Sequence, residues 1–325
     1  MSIDKKRVLS GIQPSGTLHL GNYFGMMSRM IDYQEKNDLF CFIVNYHALT
    51  TIHDKKELQN NTINAALDFL ALGMDPEKST FWIQSDVPQV TELTWLLSNM
   101  AGVGLMERST SYKDKIEKGL KPQMGLFSYP ILMAADILLY GSDIVPVGKD
   151  QKQHLEITRD IAIKFNNTYG DILVVPEASI NQDTKLVPGV DGQKMSKSYG
   201  NTIPIFAEDK ILKKAVMSIV TDSAGIKEPK DKDTPLFKIY SMFLDSEEKM
   251  LLSDRYDTPG LRYGDLKKEL FEKTIEYFYP YREKRNQLLE NIDFVYKTLK
   301  NGKAKASKVA EEHIIKIRSA MGLNY

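Results

Sequence analysis

Two lysines three residues apart, Lys194 and Lys197, sit among serines in a glycine-flanked stretch, DGQKMSKSYGN (191–201). Ammonium groups beside hydroxyl donors suit a polyphosphate leaving group, whose charge grows as it departs. Lysine serves there as a mobile point charge. A lone pair at this spacing fits a solvated basic loop equally well. A second stretch, GIQPSGTLHLGNYFG (11–25), carries four glycines, a proline, His19 and Asn22. It is neither a GxGxxG fingerprint nor a P-loop, since no lysine follows a closing glycine. Gln13-Pro14-Ser15-Gly16 can bring backbone N–H groups close to a phosphate, because glycine permits the approach. Gly21 and Asn22 open a helix whose first N–H groups favour an anion. His19 can donate to phosphate oxygens or stack near a nucleotide; a lone histidine is also readily structural.

Asp136 is a third candidate. It lies in ILMAADILLYG (131–141), an otherwise apolar helix, and a buried carboxylate must find a donor or be neutralised. Met133, Asp136, Ile137 and Tyr140 share one helical face. A carboxylate among Met, Ile and Tyr suits a flat apolar ring bearing one N–H, such as indole. The alternative is a capping aspartate. PVGKDQ (146–151) ends an apolar run. Its Gly148 lets a ligand approach and Asp150 can accept from ribose hydroxyls, or simply cap a helix.

The elements that must position these groups follow from periodicity. Arg7–Ile12, Leu39–Val44, Ser79–Gln84, Ile144–Val147 and Ile172–Val175 read as strands; 22–36, 55–72, 125–140 and 150–165 read as helices. Alternation of this kind predicts a parallel sheet with right-handed crossovers, with ligands at the carboxyl ends of its strands. The polar, basic segment 102–123 interrupts the alternation as an insertion. Beyond 205 the pattern is helical, with Pro229, Pro235, Pro259 and Pro280 as breaks.

Composition limits the function classes. The chain has 325 residues, 42% hydrophobic and 26% charged, with formal net charge zero. That is an ordinary globular balance, and nucleic-acid binding must rest on local patches. Lys297, Lys300, Lys303, Lys305 and Lys308 form one such patch, or a solvated face. One cysteine and five histidines give neither a disulfide nor a metal-ligand cluster. The N-terminus MSIDKKRVLSG lacks an apolar signal core and no run is long enough to span a membrane. A cytoplasmic protein without membrane contact is expected.

Together the motifs carry a family resemblance. His19-Leu20-Gly21-Asn22 resembles the HIGH element of class I aminoacyl-tRNA synthetases, with Asn22 for the final histidine, and Lys194–Ser198 matches their KMSKS element letter for letter. GIQPSG…LGNY (11–23), 72–88, ERSTSYKDK (107–115) and 129–162 resemble the bacterial tryptophanyl-tRNA synthetases more narrowly. Asn45-Tyr46-His47, Leu9 and His19 depart from that pattern, standing where Asp-Gln-His, an aromatic and threonine are common.

The resemblance implies an α/β fold: a Rossmann-like doubly wound parallel sheet (1–190), a KMSKS loop (191–204), and a C-terminal helical domain (205–325) that binds the anticodon, its last helix packing back on the catalytic part. It implies a ligase that uses ATP with Mg²⁺, L-tryptophan and tRNA(Trp), working as a homodimer; a tyrosyl-tRNA synthetase is the alternative. It assigns Lys194, Lys197, His19 and Asn22 to catalysis. ATP falls to Gln13, Pro14, Ser15, Gly21, Asn22, Gly148, Lys149, Asp150, Leu186 and Lys194 to Ser198, including Met195, Ser196 and Lys197. Tryptophan falls to Asp136, Met133, Tyr129, Val145, Val147, Gln151 and His47. Lys115 resembles a lysine at the pyrophosphate end, or is merely solvated. No protein metal site is implied, Mg²⁺ being held through ATP phosphates.

Overall fold

The computed structural model describes residues 5–14, 16–109, 112, 116–117, 119, 123–148, 151–180 and 186–324. Five parallel strands form one sheet: β1 (Arg7–Ile12), β2 (Asp38–Ile43), β3 (Ser79–Ile83), β4 (Ile144–Val147) and β5 (Glu177–Ile180), in the order β3-β2-β1-β4-β5. β1 pairs with β2 along its whole length, from Arg7 opposite Asp38 to Ile12 opposite Ile43. Against β4 its only register pair is Val8 with Ile144. Beyond that pair the two strands diverge, which opens the sheet at the point where strand order reverses. Alternate residues feed two cores: Val8, Leu39, Cys41 and Ile43 on one face, Leu9, Phe40, Phe42 and Trp82 on the other. The continuous apolar run of β2 is thus covered on both sides.

The first helical segment is not uniform. A short turn, α1 (Leu20–Asn22), runs into π-helical Tyr23–Met27 and then α2 (Ser28–Lys36). The stretch expected as one helix over 125–140 is two pieces, Met124–Phe127 and Tyr129–Leu139, because Pro130 has no N–H to donate to the Leu126 carbonyl and so stands in the first turn of a new helix. The expected strand at Ile172–Val175 is absent, and β5 begins at Glu177 instead. Asn166 explains the shift. Its side chain accepts from Ile172 N and Leu173 N and donates to Leu173 O. Those backbone groups therefore close the preceding helix and do not join the sheet.

The helices that contribute to the cleft are α3 (Lys55–Ala71) and α5 (Tyr129–Leu139), with α4 (Gln89–Ser98) and α6 (Lys152–Tyr169) packed against α5. Two long helices close the molecule, α7 (Tyr263–Glu290) and α8 (Ile292–Ala320). Pro280 does not break α7 as its type suggests. Glu276 and Pro280 both lie on the exposed side, so the carbonyl freed by proline faces water. On the buried side Tyr23, Phe24, Phe243, Tyr277 and Phe278 form edge-to-face aromatic pairs that lock α7 to the π-helical turn. Among the described residues no helix is long and apolar enough to cross a membrane.

α8 lies against β3 through Gly302, Ala306 and Ala310. A Cβ at Gly302 would stand 1.8 Å from the Phe81 carbonyl oxygen, so only glycine allows this approach. Gly302→Ala should destabilise the fold by about 1–3 kcal/mol, although alanine is the better helix former by about 1 kcal/mol. Urea unfolding of the two proteins measures the difference; an unchanged midpoint would show that α8 can retreat freely.

Candidate active site

A cavity of about 280 Å³ lies at the carboxyl ends of β1 and β4, where they diverge. One end is walled by Leu9, Phe42, His47, Tyr129, Met133, Asp136, Ile137, Val145, Val147 and Gln151. The other is walled by Gly11, Gln13, Gly16, Asn22, Met26 and Asp68. Of the residues singled out in the sequence, Gln13, Asn22, His47, Tyr129, Met133, Asp136, Val145, Val147 and Gln151 therefore share one cavity. Ser15, Lys115, Lys149 and Asp150 lie outside the described residues. Leu186 is 64% exposed and does not line it, nor do Pro14 and Gly148.

The apolar end is built on one carboxylate. Asp136, only 3% exposed, accepts from Gln84 Nε2 at 2.8 and 2.9 Å and pairs with His47 Nε2 at 2.8 Å. Burial raises its pKa, while His47 and Gln84 pull it down. Gln84 is fixed in turn, since its Oε1 accepts from Tyr46 N at 2.9 Å and so presents its NH₂ to Asp136. His47 sits on a short turn, Asn45–Ala48, whose Asn45 bonds Ser85 at both its backbone N and its hydroxyl. Its ring packs on Tyr129, centroids 4.3 Å apart. Gln84 was not legible as a site residue, because it ends an apolar strand and nothing marks its side chain as functional. A carboxylate has about four acceptor sites. Gln84 and His47 fill three, and one on Oδ1 is left for a donor in the cavity.

The polar end joins the two motifs, 175 residues apart, by backbone bonds. Leu20 N donates to Ile203 O at 3.0 Å, Ile205 N to Leu18 O at 3.1 Å, and His19 bridges Pro204. Gly21 N points at Met195 Sδ, 3.2 Å away, and a Cβ on Gly21 would stand 3.1 Å from Met195 Cβ and 2.9 Å from His19 Nδ1. The lysine loop is held by Asn201, which is buried. Its Oδ1 accepts from Ser196 N at 2.8 Å, and its Nδ2 donates to Asp191 at 2.7 Å and to Lys194 O at 3.1 Å. Ser196 and Ser198 hydroxyls bond each other at 2.9 Å. Lys194 points into solvent. Lys197 is half-buried, with Nζ 3.8 Å from where a Gly16 Cβ would be, so its ammonium stands at the cavity rim. Burial lowers its pKa and Asp68 opposes the shift.

His19 is packed behind Gly21, 5% exposed, and is not part of the cavity wall. Burial, and then Lys197, push its pKa down to about 4. It is a neutral imidazole near pH 7, able to orient the loop or donate one hydrogen bond but not to supply a positive charge.

Comparison with known proteins is consistent along the chain. The sequence profile described as tRNA synthetases class I (W and Y) matches residues 2–279. A tryptophan–tRNA ligase of Fusobacterium nucleatum is 54% identical over 319 residues, 98% of each chain. The crystal structure of tryptophanyl-tRNA synthetase from Campylobacter jejuni complexed with ADP and tryptophan superposes with a TM-score of 0.93 at 52% identity, covering 98% of this chain and 100% of that one. A tyrosyl-tRNA synthetase from Archaeoglobus fulgidus complexed with L-tyrosine shares the fold at a TM-score of 0.69 and 19% identity, over 87% of this chain and 91% of that one.

The buried His19 sets a pH dependence. Between its folded value of about 4 and its ordinary 6.5 the unfolded chain binds the proton and the folded chain does not. His19 therefore removes stability as pH falls through that window, and nothing above it. Denaturation of the native protein and of His19→Asn should diverge on acidification from pH 6.5 to 4, the native protein losing up to about 3 kcal/mol more. Parallel curves would mean that His19 titrates normally.

Proposed function

The chain belongs to the class I tRNA synthetases of the tryptophan and tyrosine group, and we propose that this cleft activates L-tryptophan with ATP and then charges tRNA(Trp). Its activity is that of a tryptophan–tRNA ligase. The observation that supports the site assignment is a buried, almost saturated carboxylate at one end of a cavity whose other end, at Gly16, is reached by the Lys197 ammonium.

The indole enters between Tyr129, Met133, Val145 and Val147, and its N–H takes the remaining acceptor site of Asp136. His47 and Gln84 hold that carboxylate in place, and Gln151 closes the wall. We assign ATP to Gln13 and Asn22 of the cavity wall and, on the family resemblance, to Pro14, Ser15, Gly21, Gly148, Lys149, Asp150 and Leu186 with Met195, Ser196 and Ser198 of the closing loop. The tryptophan carboxylate attacks the α-phosphate and pyrophosphate leaves. The terminal ribose hydroxyl of tRNA(Trp) then attacks the acyl carbon and releases AMP. No protein nucleophile is needed: the residues orient reactants and meet developing charge. Lys194 and Lys197 meet the pyrophosphate charge, Asn22 and a neutral His19 shape the loop beneath it. Mg²⁺ accompanies the polyphosphate, held mainly by its oxygens and by water.

Three further parts of the reading are ours. Residues 1–190 form the catalytic domain, 191–204 its mobile loop, and 205–325 the region that meets the anticodon stem. The exposed lysines 297, 300, 303, 305 and 308 are available to phosphate there. The protein works in the cytoplasm, with its tRNA. It pairs with a second copy through the face around Leu49, Thr91, Thr94, Leu126 and Leu132, where Trp95 is 71% exposed and Met124 75%. Large apolar groups gathered on one face suit an interface.

ATP–pyrophosphate exchange should depend on tryptophan; dependence on tyrosine instead would overturn the assignment. Gln84→Met leaves Asp136 short of a buried donor and should raise the tryptophan KM about tenfold or more, with a smaller effect on kcat. An unchanged KM would place the indole elsewhere. Trp95→Glu should shift sedimentation from dimer to monomer, and a native protein that already sediments as a monomer refutes the pairing.

A further inference from the structure

Asp68 has no place in the chemistry so far, yet it stands in the cavity wall. It lies on α3, 5% exposed, at the end where Gly16 and Asn22 line the space. A carboxylate at the polyphosphate end repels the ligand that belongs there. Its surroundings explain why it is tolerated. Arg285, on α7, donates from Nε to Asp68 Oδ1 at 2.7 Å and from Nη2 to Asn64 Oδ1 at 3.2 Å, with its guanidinium over Phe206. The contact is one-sided: among the described residues Oδ2 has no hydrogen-bond donor. Lys197 Nζ reaches Gly16, which lines the same cavity as Asp68, and each of the two feels the other's charge. Asn61 faces the same glycine, 3.7 Å from where its Cβ would be.

We propose that Asp68 is a positioning residue: before polyphosphate binds it draws the Lys197 ammonium inward beside Gly16, and it competes with pyrophosphate for that ammonium. This rests on the reading of the cleft as the ATP site. Lys197 gives up water in this half-buried place, and a carboxylate across the cavity offsets that loss. When phosphate arrives it takes the ammonium over, and when pyrophosphate leaves, Asp68 takes it back. Arg285 moderates the competition by neutralising part of the carboxylate. The same helix anchors the segment that follows the lysine loop, since Arg282 bonds Ile205 O at 3.0 Å, Ala207 O at 3.0 Å and Asp209 at 2.7 Å. The strength of the Asp68–Lys197 attraction is thus set from α7.

The test uses the full chain, exchange kinetics and calorimetric titration with pyrophosphate. Asp68→Asn keeps an acceptor for Arg285 and removes the charge. It should lower both the ATP KM and the pyrophosphate Kd roughly three- to tenfold, the size of a partly buried charge interaction, without a matching rise in kcat. Arg285→Gln leaves the carboxylate uncompensated and should move both constants the other way. In a Lys197→Gln background the effect of Asp68→Asn on pyrophosphate binding should largely vanish. Asp68→Ser is the second variant if the asparagine protein does not fold, with the same expected signs. The proposal fails if both single substitutions weaken binding alike, as a purely structural pair would. It also fails if the Asp68 effect persists undiminished without Lys197, since direct repulsion of phosphate would then account for all of it. Tryptophan-dependent exchange by the native protein answers separately for the site reading, and pyrophosphate titration reports on Asp68 whatever that answer is.

Discussion

Everything in the cleft depends on β1 separating from β4 after a single register pair. A sheet strand normally offers both edges to neighbours, and its polar groups must be satisfied. β1 keeps its full ladder with β2 but leaves β4 after Val8 and Ile144. The backbone of Gly11 to Gln13 is thereby turned toward a cavity and not a strand. Gly11 has no room for a larger residue on its other side, since a Cβ there would meet Val44 Cγ1 at 2.8 Å. The opening is a topological consequence of reversed strand order, and helices α3 and α5 supply Asp68 and Asp136 to its walls.

Across that opening the chain closes on itself by docking two distant segments. The bonds between Leu18–Leu20 and Ile203–Ile205 hold the loop root, and Met195 covers Gly21. The lysines themselves are outside this clasp: Lys194 is exposed and Lys197 reaches the rim. A fixed root is what a closing loop requires. The aromatic cluster of Tyr23, Phe24, Tyr277 and Phe278 ties the helix below the clasp to α7, so the loop root and the C-terminal helices move as neighbours.

Legibility in the sequence followed how local the evidence was. Asn22 and the lysine loop stood out because residue type and spacing sit within a few positions; His19 stood out with them, but folding packs it behind Gly21 and off the cavity wall. Asp136 was legible because a carboxylate inside an apolar helix contradicts its context. Four of five strands stood where hydrophobic runs placed them; the fifth did not, because Leu173 is buried by packing while Asn166 takes its backbone bonds. Pro280 misled for a related reason, since the sequence marks the lost hydrogen bond but not that the freed carbonyl faces water. Gln84 was silent because its role is to be aimed by Tyr46 N. Asp68 was silent because its partner lies 217 residues away. Contacts of that range exist only once the fold has formed.

The two carboxylates of the cleft then explain each other. Asp136 is buried with neutral amide hydrogens and an imidazole around it, and among the described residues no Lys or Arg is paired to it. Burial raises its pKa, and it suits a ligand that brings one N–H and no charge. Asp68 is buried almost as deeply, and burial lifts its pKa to about 6, but Arg285 and Lys197 pull against that shift. At neutral pH it is ionised and exchanges charge with cations. One residue type, at two ends of one cavity, thus divides it electrostatically. The proposed tryptophan end is kept free of mobile charge, so recognition there rests on hydrogen-bond saturation. The proposed phosphate end is poised between a fixed anion and a movable cation, so binding there rests on which anion the lysine prefers.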